Sequence, residues 1–329
     1  MLLARQVSIL RACLLIAALT ATSACSEPSP QLLPTDKEGA QNAPGPETTP
    51  PQTPAPDPSE SSSPPPPETT DYRPNAPISN SPGRVATQLT TVHRVLKRDI
   101  ANWLGAGEDL KSPAARSIEL EALFQQRIYR KFSQNERLAR AALKKLPTGI
   151  RGVATNNFTA GNGLSSGLAP LEPPIRFETT TPESPHALRS LHKLSGRRFG
   201  IPWEILAAVN FVETRFGRIL GPSSAGALGP MQFLPSTWDR YGNGGNILNP
   251  RDSILAAGRY LAASGGRDDI RAALYHYNPS DDYVNGVRLY AVAMKRDPDL
   301  FYAYYHWQVF VRTTRGDKQL TGPGSNYNR

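Results

Sequence analysis

The sequence predicts a mainly α-helical protein with a short β-hairpin near its C-terminal end, preceded by a long disordered segment. Three observations predict this class. Hydrophobic residues recur every three or four positions in several segments that begin with a Ser-Pro pair and end at glycine. The stretch FYAYYHWQVFVRTT at 301–314 is instead aromatic and β-branched, and Gly316-Asp317 follows it as a turn signal. In addition, 17 of the 32 prolines lie within residues 26–83, where aliphatic side chains are few.

The first 24 residues have the pattern of a signal peptide for export. In MLLARQVSILRACLLIAALTATSACSEP, a charged start precedes an apolar run too short to cross a bilayer, and small residues follow. Cys13 lies inside this signal, so Cys25 is the one cysteine left after cleavage and no internal disulfide forms. We expect Cys25 to be acylated, which makes the protein a lipoprotein at the outer face of the cell membrane. Ordinary cleavage after Ala24 is the alternative, since Thr22 stands where lipoprotein signals usually have leucine.

Residues 25–83 form the predicted spacer, which is rich in proline, serine and threonine. The chain's net charge of +9 is +2 in residues 1–24 and −6 in residues 25–83, which leaves +13 for residues 84–329. A basic body behind an acidic spacer indicates an anionic partner. No basic run with interleaved aromatic residues occurs, so we expect an anionic polymer of the cell surface rather than nucleic acid.

Two helical regions are predicted behind the spacer. The first, 84–147, is a helical hairpin of unknown role, whose second helix begins at Ser112-Pro113. Residues 148–180 are rich in glycine, threonine and proline and predict a flexible linker. The second region, 181–315, holds a series of helices and ends in the hairpin, and 316–329 form a C-terminal tail. Its helices are expected to begin near Ser184, Pro202, Pro250, Asp268 and Asp282.

Glu213 raises a question about the helix that begins at Pro202. The apolar face of this helix is expected to carry Ile205, Leu206, Val209, Val212 and Phe216. Glu213 follows Val209 by four residues and precedes Phe216 by three, so it shares the face that should meet the core. A charged group there is costly unless it is paired, neutralised or functional. From this segment alone, an ion-paired or snorkelling structural glutamate is the plainer interpretation.

Two further features favour a functional role for Glu213. It is one of two glutamates after Glu183, and the other, Glu204, is explained by the dipole at the start of its helix. Glu213 is also followed by GRILGPSSAGALGPMQFLPSTW, a loop whose glycines let another molecule approach the backbone closely. The Gln232 amide in this loop is available either to a ligand or to the loop itself.

Three motifs together carry a family resemblance. With VETRFG at 212–217, SSAGALGPMQFLPSTW at 223–238 and ALYHYNPSDDYVNGV at 273–287, the sequence resembles the bacterial lytic transglycosylases, which have a lysozyme-like fold. The motifs occur in the family's order within residues 185–312. Many soluble members have leucine at the position of Pro230. This proline makes the sequence more similar to the membrane-bound B-type branch and its actinobacterial relatives. The resemblance does not extend to the spacer or the predicted helical hairpin.

The resemblance implies site residues as well as a fold. Glu213 would be the sole catalytic carboxyl, acting first as general acid and then as general base. The residues implied to bind substrate are Ser223, Ser224, Met231, Gln232, Tyr277, Asn278 and Tyr283. Structural alternatives remain open for four of these residues. They are a core position for Met231, a bracing role for Gln232, a packing role for Tyr283 and a helix stop at Asn278.

Cleavage with one carboxyl needs a particular substrate. Glycosidases usually use two carboxyls, and although Asp239, Asp252 and Asp282 are candidates by position, none belongs to the matched catalytic motif. One acid suffices if the N-acetyl oxygen of the muramic sugar stabilises the developing cation and its C6 hydroxyl then attacks. Glu213 must then be protonated beforehand, and apolar surroundings would raise its pKa accordingly.

The resemblance therefore implies a peptidoglycan lytic transglycosylase. It would cleave the β-1,4 bond between MurNAc and GlcNAc without water and leave a 1,6-anhydroMurNAc end. A hydrolytic muramidase and a non-catalytic peptidoglycan-binding protein are the alternatives. We expect glycan strands as the partner, a monomeric protein and no cofactor. The stretch DRYGNGGNILNPRD lacks carboxylates at alternate positions, so no required metal is expected.

Overall fold

The computed structural model describes residues 72–175 and 177–325. The predicted signal peptide, the acylation site at Cys25 and the spacer up to residue 71 lie outside these residues. The described part contains eleven helices: α1 Pro82–Gly105, α2 Pro113–Gln134, α3 Glu136–Leu143, α4 Thr148–Ser165, α5 Pro185–Phe199, α6 Trp203–Thr214, α7 Pro235–Tyr241, α8 Pro250–Ala263, α9 Ile270–Tyr277, α10 Asp281–Arg296 and α11 Leu300–Tyr305. Its strands are β1 Glu178–Thr179, β2 Ile219–Leu220, β3 Phe310–Thr313 and β4 Gly316–Gln319.

This architecture confirms the predicted mainly α class with a C-terminal β-hairpin. β3 and β4 pair antiparallel, with Phe310 opposite Gln319 and Thr313 opposite Gly316. The turn therefore lies at residues 314–315, and the predicted turn at Gly316-Asp317 is wrong because these residues begin β4. The aromatic segment before the hairpin is also not extended, since residues 300–305 form the buried helix α11.

The end of the predicted spacer is folded, so the prediction of disorder is wrong for residues 72–83, of which Pro82 and Gly83 begin α1. Tyr72 is buried, with its ring 5.0 Å from the ring of Phe124 on α2. Arg127 and Lys131 of α2 donate hydrogen bonds of 2.9 Å to the carbonyl groups of Ala76 and Ile78. One apolar anchor and satisfied backbone carbonyls are enough to hold a short extended segment on a helix.

The predicted linker at 148–180 is also wrong in its first half, because Thr148–Ser165 forms α4. Glycine-rich sequence disfavours an isolated helix, but tertiary packing overrides propensity here. α4 packs against α10, where a side chain in place of Gly286 would meet Leu164 at 2.6 Å. Gly163 of α4 also lies close to α10, because an added Cβ there would be 3.2 Å from an oxygen of Asp282.

One continuous hydrophobic core joins the two predicted helical regions. It includes Val85 of α1, Phe132 of α2, Phe211 of α6 and Phe301 of α11. The second helix of the predicted hairpin is in fact two helices, α2 and α3, because the chain leaves the helical conformation at Asn135. The Asn135 side chain caps α3 by accepting a 2.9 Å hydrogen bond from the Leu138 amide. Residues 84–147 therefore pack as part of the same body as residues 181–315.

Across the described ranges, none of the helices combines the length and the hydrophobicity needed to cross a bilayer.

Candidate active site

Glu213 lies in the last turn of α6, a helix enclosed by the core. Every residue from Ile205 to Phe211 is buried, so α6 does not present a single apolar face as predicted. Phe216 lies beyond the end of the helix. Arg215 and Phe216 both adopt left-handed backbone conformations, with φ of 53° and 62°, which returns the Phe216 ring to the core, 5.2 Å from the ring of Phe301. This tight turn fixes where α6 ends.

The carboxyl group of Glu213 is buried, and its residue retains 6% exposure. Its Oε1 accepts a 2.7 Å hydrogen bond from the hydroxyl of Tyr283. In the part of the chain that the structure describes, no basic nitrogen lies within 4.0 Å of its carboxyl oxygens. Burial raises the pKa of Glu213 to about 8, although the hydrogen bond from Tyr283 acts in the opposite direction. At neutral pH the group is therefore mainly a protonated acid.

Two stacked tyrosines support this carboxyl group. Tyr283 of α10 is fully buried, and its ring is 6.4 Å from that of Tyr277 at an interplanar angle of 7°. Tyr277, the last residue of α9, donates a 2.5 Å hydrogen bond to the carbonyl of Met231. Burial, and then the neighbouring Glu213, raise the pKa of both phenols well above the usual value, so both remain neutral donors.

Hydrogen bonds from α6 attach the loop that follows it. The carbonyl of Pro230 accepts from Asn210 Nδ2 at 2.9 Å and from Thr214 Oγ1 at 2.7 Å. The Asn210 Oδ1 lies 3.3 Å from His192 Nε2 on α5. Burial lowers the pKa of His192 to about 3, so its neutral ring donates this bond from Nε2. The residues on either side of Glu213 are thereby fixed to the loop.

Within this loop, several residues from the sequence motif form internal braces. Ser223 Oγ accepts hydrogen bonds from the amides of Ala225 and Ala227 at 3.2 and 2.9 Å. Gln232 donates from Nε2 to the carbonyl of Gly229 at 2.9 Å. Gly229 has a φ of +74°, and a Cβ there would lie 2.0 Å from the Ile247 carbonyl oxygen, so glycine is required.

Glu213 lines a cleft between two groups of elements. One side consists of the end of α6 and part of α10, including Glu213, Tyr283 and Tyr290. The other side consists of α2, α4 and the C-terminal hairpin. The residues contributed by this second side include Gln126, Tyr129, Arg130, Ser133, Asn157, Gly161, Leu164, Phe310, Arg312 and Asp317.

The cleft includes only part of the predicted site. Glu213 and Tyr283 both line it, whereas the other implied substrate-binding residues do not: Ser223, Ser224, Met231, Gln232, Tyr277 and Asn278. Met231 is fully buried in the core, which agrees with the structural interpretation left open above. Asp239, Asp252 and Asp282 are also absent from the lining. It therefore remains a prediction that the seven implied substrate-binding residues contact the substrate.

The sequence interpretation missed the second side of the cleft. Asn157 of α4 accepts a 2.6 Å hydrogen bond from Tyr304, and Arg130 of α2 forms a 2.7 Å ion pair with Asp317 of β4. Arg130, Asn157 and Asp317 lie outside the region of family resemblance, and no local pattern marks them. In the described ranges, no group of three or more histidine, cysteine or acidic residues could hold a metal ion, and metal independence stays a prediction.

Comparison with known proteins supports the resemblance to lytic transglycosylases. Over 108 residues the chain is 36% identical to the membrane-bound lytic murein transglycosylase F of Thiobacillus denitrificans. The match covers 30% of this chain and 23% of that protein, so this chain spans less than a quarter of its relative. No family model matches the chain, and no solved structure matches it. The proposed likeness to the B-type branch stays a prediction.

Proposed function

We propose that this chain is a peptidoglycan lytic transglycosylase that cleaves the β-1,4 bond between MurNAc and GlcNAc. The observation that carries the proposal is Glu213, a buried acid with a raised pKa that lines a cleft and accepts a hydrogen bond from Tyr283. A structural glutamate would be expected to have an ion-pair partner, and none is present among the described residues. The similarity to a lytic murein transglycosylase supports the same activity.

In the proposed reaction, Glu213 first acts as a general acid. It donates its proton to the glycosidic oxygen as the bond from that oxygen to C1 of MurNAc breaks, and the N-acetyl oxygen of MurNAc stabilises the positive charge at C1. The Glu213 carboxylate then accepts the proton of the C6 hydroxyl while O6 bonds to C1. Glu213 is thereby restored and no water is consumed.

Tyr283 has a distinct part in this sequence. Its hydroxyl donates to Glu213 Oε1 at 2.7 Å, which orients the carboxyl group and stabilises the carboxylate formed after the first proton transfer. The hydrogen bond is therefore most valuable between the two steps, when the charge is on Glu213. This contribution is compatible with a raised pKa because burial outweighs it in the resting protein.

A hydrolytic muramidase is the second candidate, and one observation favours it. Asp317 provides another carboxyl group on the cleft lining, which a hydrolase could use to position water or stabilise the cation. Its ion pair with Arg130 at 2.7 Å argues against such a role, because Oδ2 of Asp317 is already engaged by the guanidinium group. The transglycosylase does not require Asp317 for proton transfer.

Digestion of purified sacculi tests the proposal. The wild-type protein is expected to release muropeptides that are lighter by one water than hydrolytic products, and Glu213→Gln to release none. Asp317→Asn should still yield the anhydro product. Hydrated reducing ends would favour the muramidase, and binding to sacculi without any product would favour the non-catalytic alternative. Activity of Glu213→Gln near the wild-type level would exclude the assigned acid.

The proposed location is the cell envelope, with a lipid anchor at Cys25. The export pattern of residues 1–24 and the name of the membrane-bound relative support it. Mass spectrometry of the mature N-terminus should find Cys25 with an attached diacylglyceryl group. An unmodified Cys25 at that position would show that the protein is exported without an anchor.

A further inference from the structure

The ionised side chains of the cleft are mostly cationic. With Glu213 protonated, they are the guanidinium groups of Arg130, Arg215 and Arg312 and the carboxylate of Asp317, which gives a net charge of +2. The pKa of Glu213 is set by burial and by Tyr283, and none of the three arginines contributes to it. The positive charge in the cleft therefore does not serve to ionise the catalytic acid.

Two of these arginines belong to the side of the cleft formed by α2, α4 and the C-terminal hairpin. Arg130 of α2 contacts Asp317 through Nε, and its guanidinium lies 4.7 Å from the centre of the Phe310 ring. Arg312 of β3 is exposed and contacts the carbonyl of Leu168 through Nη2. A guanidinium group has five N–H donors, so each of these contacts leaves further donors for an acceptor in the cleft.

The sugar rings of the proposed substrate are neutral, and its negative charge is on the carboxylates of the lactyl-linked peptide of MurNAc. Arginine pairs with carboxylates through two parallel hydrogen bonds, which gives orientation as well as affinity. We propose that Arg130 and Arg312 form a subsite for these peptide carboxylates, so that the protein distinguishes peptide-bearing strands from neutral ones. This inference rests on the proposed function and identifies the part of the substrate read by α2 and β3.

If the subsite exists, substitutions of Arg312 and of Asp317 should change the affinity for the carboxylates in opposite directions. Arg312→Gln removes a cation and should weaken binding of the carboxylates, whereas Asp317→Asn removes a competing anion beside Arg130 and should strengthen it. If these residues only fastened the hairpin to α2 and α4, both substitutions would weaken binding or leave it unchanged. Arg315→Gln is the matched control, since Arg315 lies on the same hairpin but does not line this cleft.

The test measures binding to full-length protein carrying Glu213→Gln, which prevents cleavage. The two probes are peptide-bearing glycan strands and the same strands after conversion of their carboxylates to amides. We expect amidation to raise the Kd about fivefold, the factor equivalent to about 1 kcal/mol. The ratio of the Kd for amidated strands to the Kd for unmodified strands should fall towards one with Arg312→Gln or Arg130→Gln. It should increase with Asp317→Asn and remain the same with Arg315→Gln.

Two outcomes separate the subsite from the proposed function. Strong binding with a ratio near one in every variant would overturn the subsite while leaving the transglycosylase intact. Absence of binding to either probe, together with no product from wild-type protein, would overturn both. Strands freed of phosphate-linked polymers with hydrofluoric acid identify the source of the anion. Binding that weakens on this treatment but not on amidation would assign the anion to phosphate and refute the peptide subsite.

Discussion

The substitution Glu213→Gln should stabilise the protein while abolishing cleavage. Folding transfers an ionisable carboxyl from water into a buried site where its pKa rises from 4.5 to about 8. A raised pKa in the folded state contributes stability that is fully present below pH 4.5 and is lost as the pH rises through 8. Glutamine has nearly the same shape, can still accept the hydrogen bond from Tyr283, and does not ionise.

The size of the gain follows from the pKa difference. Each pH unit between the two pKa values corresponds to about 1.4 kcal/mol, so the variant should match the wild type at pH 4 and exceed it by about 3 kcal/mol at pH 7. For a domain of this size, that gain raises the Tm by about 6 to 12 °C. Other titrating groups, such as the buried histidines, cancel in the difference between the two proteins.

The assay is thermal unfolding followed by circular dichroism from pH 4 to pH 8.5, with both proteins in the same buffers. Glu204→Gln is the matched control, because Glu204 is only half-buried and lies in the first turn of the same helix. We expect no gain from this control, since a negative charge at a helix start is favourable. A Tm difference for Glu213→Gln that is independent of pH, or negative at pH 7, would refute the buried-acid argument.

Four other perturbations test the site and the fold. Tyr283→Phe should lower kcat about tenfold or more. It should also move the alkaline limb of the pH–rate profile to higher pH, because the lost donor favoured the Glu213 carboxylate. An unchanged profile would contradict this. His192 and His306 have pKa values lowered to about 3, so their stability contribution is present above pH 6.5 and is lost at about 1.4 kcal/mol per pH unit each as the pH falls towards 3. His306→Gln should reduce this loss in acid unfolding curves. Gly229→Ala should cost about 3 kcal/mol or more in denaturant unfolding, since its Cβ would overlap the Ile247 carbonyl. A fragment of residues 181–329 should be insoluble because it lacks α1 to α4, and a soluble fragment with native circular dichroism would refute the shared core.

Several features of the fold could be predicted from the sequence because they depend on local chemistry. Ser112 and Ser184 cap their helices through side-chain hydrogen bonds to the amides three residues later, as the Ser-Pro pairs indicated. Gly200 ends α5 in the left-handed conformation. In each case the residues that determine the structure are within a few positions of one another.

The failures share a physical cause. The glycines and threonines of α4 predict a linker because they disfavour an isolated helix, yet the absence of side chains at Gly163 and Gly286 lets α4 approach α10 closely. Phe216 was assigned to the face of α6 because its spacing is helical, yet a left-handed turn places it beyond the helix end. Tertiary contacts outweighed local preference at both sites.

By itself, the sequence determined the helical class, the export pattern, and the presence of an unusual glutamate ahead of a glycine-rich loop, since each is recorded in neighbouring residues. Only the tertiary structure decided that Glu213 is buried without an ion-pair partner among the described residues, and that α2, α4 and the C-terminal hairpin form the other side of its cleft. Arg130 and Asp317 are 187 residues apart in the chain and 2.7 Å apart in space. No local pattern encodes such a pair, because burial and charge pairing depend on how distant segments pack.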